Sequence, residues 1–218
     1  MNKLYSTLLL LGLAAVTSPA SAADSGWYAG VDLGQSKYDV MQPNVTALSQ
    51  DLAEQGFPNT SSESDTATAY GVDVGYQFFR YLAVEGGYTD FGSSTGDVSI
   101  TLTPPGNAHI NIHAKGETLF AVGILPVSDS FSFFGKLGLL AYSQDFTGSV
   151  SVAGVGSQTV PKSSDSGTTS GIGVGANFDI NDRFGLRLGF TRFHSVGNAN
   201  NTGEGTIDLG YLQLLVHF

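Results

Sequence analysis

The chain has 218 residues, with 9 Lys and Arg against 19 Asp and Glu, and no cysteine. A formal charge of -10 excludes a protein that holds nucleic acid by neutralising phosphates. The lack of cysteine excludes both a disulfide framework and a thiolate metal site, while 29 Gly and 11% aromatic residues lean toward strands and turns in one domain.

The chain opens on Met1, Asn2 and Lys3, followed by an apolar run from Leu8 to Val16 and then Ala20, Ser21 and Ala22. This is the cationic, apolar, small-residue order of a secretory signal. It predicts an export signal over residues 1–22 and a mature domain over 23–218. Loss of Lys3 leaves 8 cations against 19 carboxylates, or -11. The apolar run is too short to span a bilayer as a helix, and no later stretch reaches the roughly 18 apolar residues required.

Beyond the signal, alternation with a period of two marks strands. In AYGVDVGYQF, Tyr70, Val72, Val74, Tyr76 and Phe78 share one face and Gly71, Asp73, Gly75 and Gln77 the other. The pattern returns with Leu82, Val84 and Tyr88, with Ile172, Val174, Ala176 and Phe178, and with Phe184, Leu186, Leu188 and Phe190. Eight strands are predicted, at 26–38, 67–79, 81–92, 112–125, 130–144, 168–180, 183–194 and 206–218. GIGVGANF looks superficially like a dinucleotide loop, but its glycines recur at every second residue and no helix follows, so it reads as a strand with a glycine face.

The faces opposite the apolar ones carry glycine and isolated charges rather than a soluble protein's Lys, Glu, Thr and Ser. In an exported chain this pattern predicts apolar residues toward lipid and small or polar residues toward a narrow lumen. Connections at 79–81, 126–129 and 181–182 are short, and those after odd strands are long and polar. The fold class expected is therefore all-β, a closed antiparallel up-and-down transmembrane barrel of eight strands with short periplasmic turns and four long outer loops. Two aromatic girdles are expected. The inner one has Trp27, Phe78, Phe79, Tyr81, Phe131, Phe133, Phe178, Phe184 and Phe218, and the outer one Tyr38, Tyr70, Tyr88, Phe91, Tyr142, Phe146, Phe190 and Phe193.

GWYAGVDLG in the first strand, YLAVEGGYTDFG in the third and the terminal LQLLVHF resemble the OmpA-like, eight-stranded outer-membrane barrel family over nearly the whole mature chain. The resemblance implies residence in a Gram-negative outer membrane. It also implies that Leu212, Leu214, Val216 and Phe218 form the signal read by the barrel-insertion machinery, with periplasmic chaperones as earlier partners. Larger members carry a peptidoglycan-binding domain after the barrel; this chain stops at the barrel, so cell-wall tethering by that route is not expected.

The predicted lumen face places Asp32, Asp73, Glu85, Glu117, Lys136 and Arg187 inside, where unpaired ions are costly, so the two cations are expected to bridge the carboxylates into a plug or a gate. His194, Ser195 and Glu204 are candidates for acyl hydrolysis. Adjacent strand residues point to opposite faces, however, so His194 is poorly placed to act as base for Ser195. His109 and His113 lack a third ligand and follow Pro104, Pro105 and Gly106, which reads as a loop rather than a metal site. The first loop, residues 39–66, contains a short amphipathic helix with Val45, Leu48 and Leu52 on one face, ending at Gly56. Its acidic Asp51, Glu54, Glu63 and Asp65 suit a cationic surface or divalent ions that bridge lipopolysaccharide, or the segment is a lid on the barrel mouth.

The function expected is an integral outer-membrane protein with a structural or surface-interaction role and a lumen closed by ion pairs. Lipid, lipopolysaccharide and an unknown ligand of the outer loops are its partners, with no cofactor and no catalytic site. The alternatives are a small pore or transporter for small, possibly apolar solutes, and, behind it, a lipid acyl hydrolase.

Overall fold

A computed structural model describes residues 25–39, 41–100, 105–198 and 203–218. The expected export signal and the cleavage point near Ala23 lie outside the described residues.

The elements run β1 (Gly26–Tyr38), α1 (Met41–Glu54), β2 (Asn59–Ser64), β3 (Thr66–Phe79), β4 (Leu82–Ile100), β5 (Gly106–Pro126), β6 (Phe131–Val152), β7 (Gly156–Asp179), β8 (Phe184–Asn198) and β9 (Gly203–His217). Eight of the strands close a ring in the order β4, β3, β1, β9, β8, β7, β6, β5, with β5 returning to β4 and every pairing antiparallel. A closed ring leaves no unpaired edge at membrane level, which lipid demands because it cannot hydrogen-bond backbone groups.

The barrel is inside out relative to a soluble protein. Val72 and Val74 are 54% and 53% exposed, whereas Glu85 and Arg187 are 2% and 3% exposed. Along β8 the outward residues run Phe184, Leu186, Leu188 and Phe190 before the first charge at Arg192. From Phe184 to Arg192 is nine residues, about the length a tilted strand needs to cross hydrocarbon. The inner girdle is in place, with Trp27, Phe78, Phe79, Tyr81, Phe133, Phe178, Phe184 and Phe218 exposed on the outer wall and Phe131 half-buried.

The outer girdle differs from expectation. Tyr70, Tyr88 and Phe190 face outward, but Tyr38, Phe91, Tyr142 and Phe193 are buried inside the barrel, and Phe146 packs against them. Phe193 lies three positions after Phe190, an odd offset, so the two rings point to opposite faces of β8.

Strands β4 to β7 continue well past the apolar band. β4 and β5 pair as far as Ile100 with Gly106, and β6 and β7 as far as Val152 with Gly156. The segments read as loops are therefore a projecting sheet, to which β2 adds a short strand along β4. Most of these residues are Ser, Thr, Gly, Asn and Asp, and the apolar ones, such as Val98 on β4 and Ile110 and Ile112 on β5, alternate too briefly to announce the strands. His109 and His113 lie on this wall and not in a loop: His109 Nδ1 sits 2.7 Å from Asp97 Oδ1, and His113 Nε2 sits 2.9 Å from Asp90 Oδ1. Asp145 on the same wall accepts a hydrogen bond from Ser164 at 2.7 Å and pairs with Lys162 at 3.1 Å, which hold its carboxyl below the usual carboxylate range.

The helix expected in the first loop is α1. Its end is a Schellman turn: Gly56 N–H donates to Ala53 O at 3.0 Å and Phe57 N–H to Leu52 O at 2.9 Å, with Gly56 at φ 83°. Leu52 packs against the apolar cluster, and the Asn59 amide donates to Ser49 O at 2.9 Å, tying the helix to β2. The side chains of Val45 and Leu48 lie outside the described residues.

Candidate functional site in the barrel lumen

In an eight-strand ring each strand faces the one four places away, so β4 faces β8 and β1 faces β6. The lumen chemistry uses these diameters. Glu85 of β4 and Arg187 of β8 meet across the barrel in an ion pair with both groups buried. Tyr28 OH donates to Glu85 Oε1 at 2.7 Å, and Arg187 Nε donates to Asn177 Oδ1 at 2.7 Å. Asn177 in turn donates to Ser132 Oγ at 3.0 Å, and the guanidinium stacks 4.7 Å from the Phe134 ring. The carboxylate and the guanidinium thus each have a partner beyond one another, which is what lets a buried ion pair be tolerated.

The other lumen residues sit nearby. Asp32 lies directly opposite Gln213 in the β1–β9 register, and Gln213 Nε2 donates to Asp73 Oδ2 at 2.9 Å. The Lys136 ammonium rests 4.6 Å from the Phe120 ring and 4.8 Å from the Tyr211 ring. Toward the outer face, Tyr38, Phe91, Phe120, Leu140, Phe193, Ile207 and Leu209 form an apolar layer above these charges. Phe91 and Phe193 meet edge to face with ring centroids 5.3 Å apart. The lumen thus has a polar storey toward the periplasmic turns and an apolar one toward the outside.

Five of the six expected lumen charges, Asp32, Asp73, Glu85, Lys136 and Arg187, face inward. Glu117 does not. It is exposed, and its cross-strand partners Tyr88 and Ala141 are exposed with it, while Gly116, Thr118 and Phe120 are buried. The reason is that β5 carries apolar residues on both faces, Leu119 and Ala121 outward and Phe120 and Val122 inward, so its alternation does not reveal which side is lumen. A thiol at Glu117→Cys is expected to react with a water-soluble maleimide in the folded protein, whereas Thr118→Cys is expected to be protected. The reverse pattern would restore Glu117 to the lumen.

Sequence reading missed Tyr28, Asn177 and Gln213. Gln213 carried a signal, being the lone polar residue between Leu212 and Leu214 and so on the inward face of an otherwise apolar strand. Leu212, Leu214 and Phe218 are exposed on the outer wall and Val216 is half-buried beside them. His194, Ser195 and Glu204 are all exposed at the outer end. Ser195 sits at φ 50° in a bulge where the β8–β9 register shifts between Phe193 and Val196, and Thr169 Oγ1 donates to the His194 carbonyl. Among the described residues no group of three His, Cys, Asp or Glu is placed to hold a metal ion.

A family model described as the OmpA-like transmembrane domain matches residues 22–217. The chain belongs to this family. This OmpA-like barrel is 28% identical over 217 residues to outer membrane protein P5 of Haemophilus influenzae, covering 97% of this chain and 57% of the relative. It is 26% identical over 200 residues to outer membrane protein A of Serratia marcescens, covering 89% of this chain and 50% of that one. The chain thus spans about half the length of the curated relatives it matches. Among solved structures it is similar to Neisserial surface protein A, with 12% identity, a TM-score of 0.48, and coverage of 89% of this chain and 99% of the other. It is an outer-membrane protein of the Gram-negative cell envelope.

Proposed function

We propose that this OmpA-like protein is a closed structural platform in the outer membrane that carries its projecting wall of strands β4 to β7 to the outside. The observation that supports this reading is the Arg187–Glu85 pair spanning the barrel beneath an apolar layer, two unlike barriers in series. Ions meet the apolar storey, where desolvation opposes them, and the polar storey leaves little free cross-section. Residues 1–22 serve as the export signal. Leu212, Leu214, Val216 and Phe218 serve as the insertion signal for the barrel machinery, after handling by periplasmic chaperones. Lipid and lipopolysaccharide surround the band, and a ligand of the outer wall is the partner through which a surface role would act. No catalysis is assigned, because His194 and Ser195 are exposed neighbours in a strand bulge.

Single-channel conductance of the refolded mature chain tests the proposal. Silence is expected from the native protein and from Lys136→Ala, because the aromatic layer remains in both. Current is expected from the double variant Arg187→Ala with Phe193→Ala, which breaches both storeys. Steady current through the native chain would instead favour a pore, and the apolar outer storey would then point to small apolar solutes.

A further inference from the structure

Between the aromatic layer and the periplasmic rim the lumen holds three carboxylates, Asp32, Asp73 and Glu85, and two cations, Lys136 and Arg187. With every one of these groups ionised, three minus two leaves one negative charge enclosed by a ring of lipid-facing strands. A net buried charge without a counter-ion costs several kcal/mol, so the balance must be met locally. Arg187 is committed to Glu85. That leaves the single charge of Lys136 against both Asp32 and Asp73, so one negative charge remains.

Two of the orphaned polar atoms among the described residues lie where that charge lies. Asp32 Oδ1 is buried with no hydrogen-bond partner, and so is Gln213 Oε1, on a side chain only 1% exposed. Asp32 and Gln213 are direct cross-strand partners, and the Gln213 amide reaches Asp73 Oδ2 at 2.9 Å. The wall is hollowed for these groups: a side chain at Gly71 would overlap Asp32 Oδ2, one at Gly87 would overlap Asp73, and one at Gly30 would overlap the Gln213 amide. Three adjacent strands, β9, β1 and β3, thus bring two carboxylates and an amide side by side, with unused lone pairs on Asp32 Oδ1 and Gln213 Oε1.

We propose that Asp32, Asp73 and Gln213 hold one small monovalent cation, of the sodium class, in the lumen. Hard oxygen ligands suit such an ion. The charge count selects a single positive charge, since a divalent ion would leave the lumen net positive. The ion completes the polar storey: it neutralises the remaining carboxylate and takes the Asp32 and Gln213 oxygens that the protein leaves empty-handed. The site does not depend on whether the lumen conducts, and its test reads stability, so a current through the native chain would overturn the closed platform and leave this proposal standing.

The experiment compares thermal unfolding of the native mature chain in a non-ionic detergent with sodium chloride or with N-methylglucamine chloride at equal ionic strength and mildly alkaline pH. The unfolding midpoint is expected to be higher in sodium and to climb with sodium concentration, as mass action requires of an ion that binds only the folded state. Asp73→Asn brings the count to two against two and is expected to erase the difference between the salts. Line broadening of the sodium resonance in NMR, present for the native chain and absent for Asp32→Asn, gives a second readout if Asp73→Asn fails to fold. Equal midpoints in both salts would overturn the proposal. So would a midpoint that ignores sodium but rises on acidification in the native chain alone, which would assign the missing charge to a proton shared by the two carboxyls.

Discussion

Replacing Arg187 with Ala is expected to lower the stability of the folded barrel by about 3–5 kcal/mol, because it leaves Glu85 buried and charged with no counter-ion. The effect is large for two reasons that the geometry supplies. Glu85 is almost fully enclosed, so water cannot take over the role of the guanidinium. The same Arg187 side chain also donates to Asn177 and stacks on Phe134, so its removal unsatisfies a second polar group and opens a gap against a ring. Urea unfolding followed by the mobility difference between folded and boiled protein measures the change. The control is the double variant Glu85→Gln with Arg187→Met, which removes both charges while keeping similar volumes. It is expected to regain most of the loss, since an apolar or neutral pair can replace a buried ion pair at little cost. If the double variant is as unstable as Arg187→Ala, packing rather than charge dominates the site.

How much of this was legible in the sequence follows from what each signal can report. Alternation with small residues on one face located the eight ring strands and told lipid from lumen wherever the inward face was glycine, as at Gly71 and Gly75 opposite Val72 and Val74. It failed on β5, where Phe120 and Val122 fill the lumen and Leu119 and Ala121 meet lipid, and Glu117 was assigned to the wrong side. It failed again for the outer extensions, because a stretch such as Lys162–Gly167 is polar or glycine on both faces and a two-sided polar strand looks like a loop. The charges themselves were visible. Their pairing was not, because Glu85 and Arg187 are 102 residues apart and only the closure of the ring makes β4 and β8 face each other.

The two phenylalanines of β8 give the sharpest contrast between faces, and Phe193→Ala is expected to cost about 3–5 kcal/mol where Phe190→Ala costs a small fraction of that. Phe193 is 1% exposed and touches the Phe91 ring at 5.3 Å and the Phe120 ring at 6.1 Å, so truncation strips two aromatic contacts and leaves a cavity within a closed wall. The backbone around that cavity is fixed by strand pairing on both sides and cannot collapse to fill it. Phe190 points into lipid, and an acyl chain or detergent tail refills the space that its ring vacates. Unfolding midpoints of the two variants in the same detergent decide the matter. Equal losses would mean that the outer storey is not packed as a core, and the apolar barrier assigned to it would fall with that result. A large loss confined to Phe193 would make the upper lumen a small soluble-like core held inside a membrane barrel, with hydrophobic burial and lipid solvation acting on opposite faces of one strand.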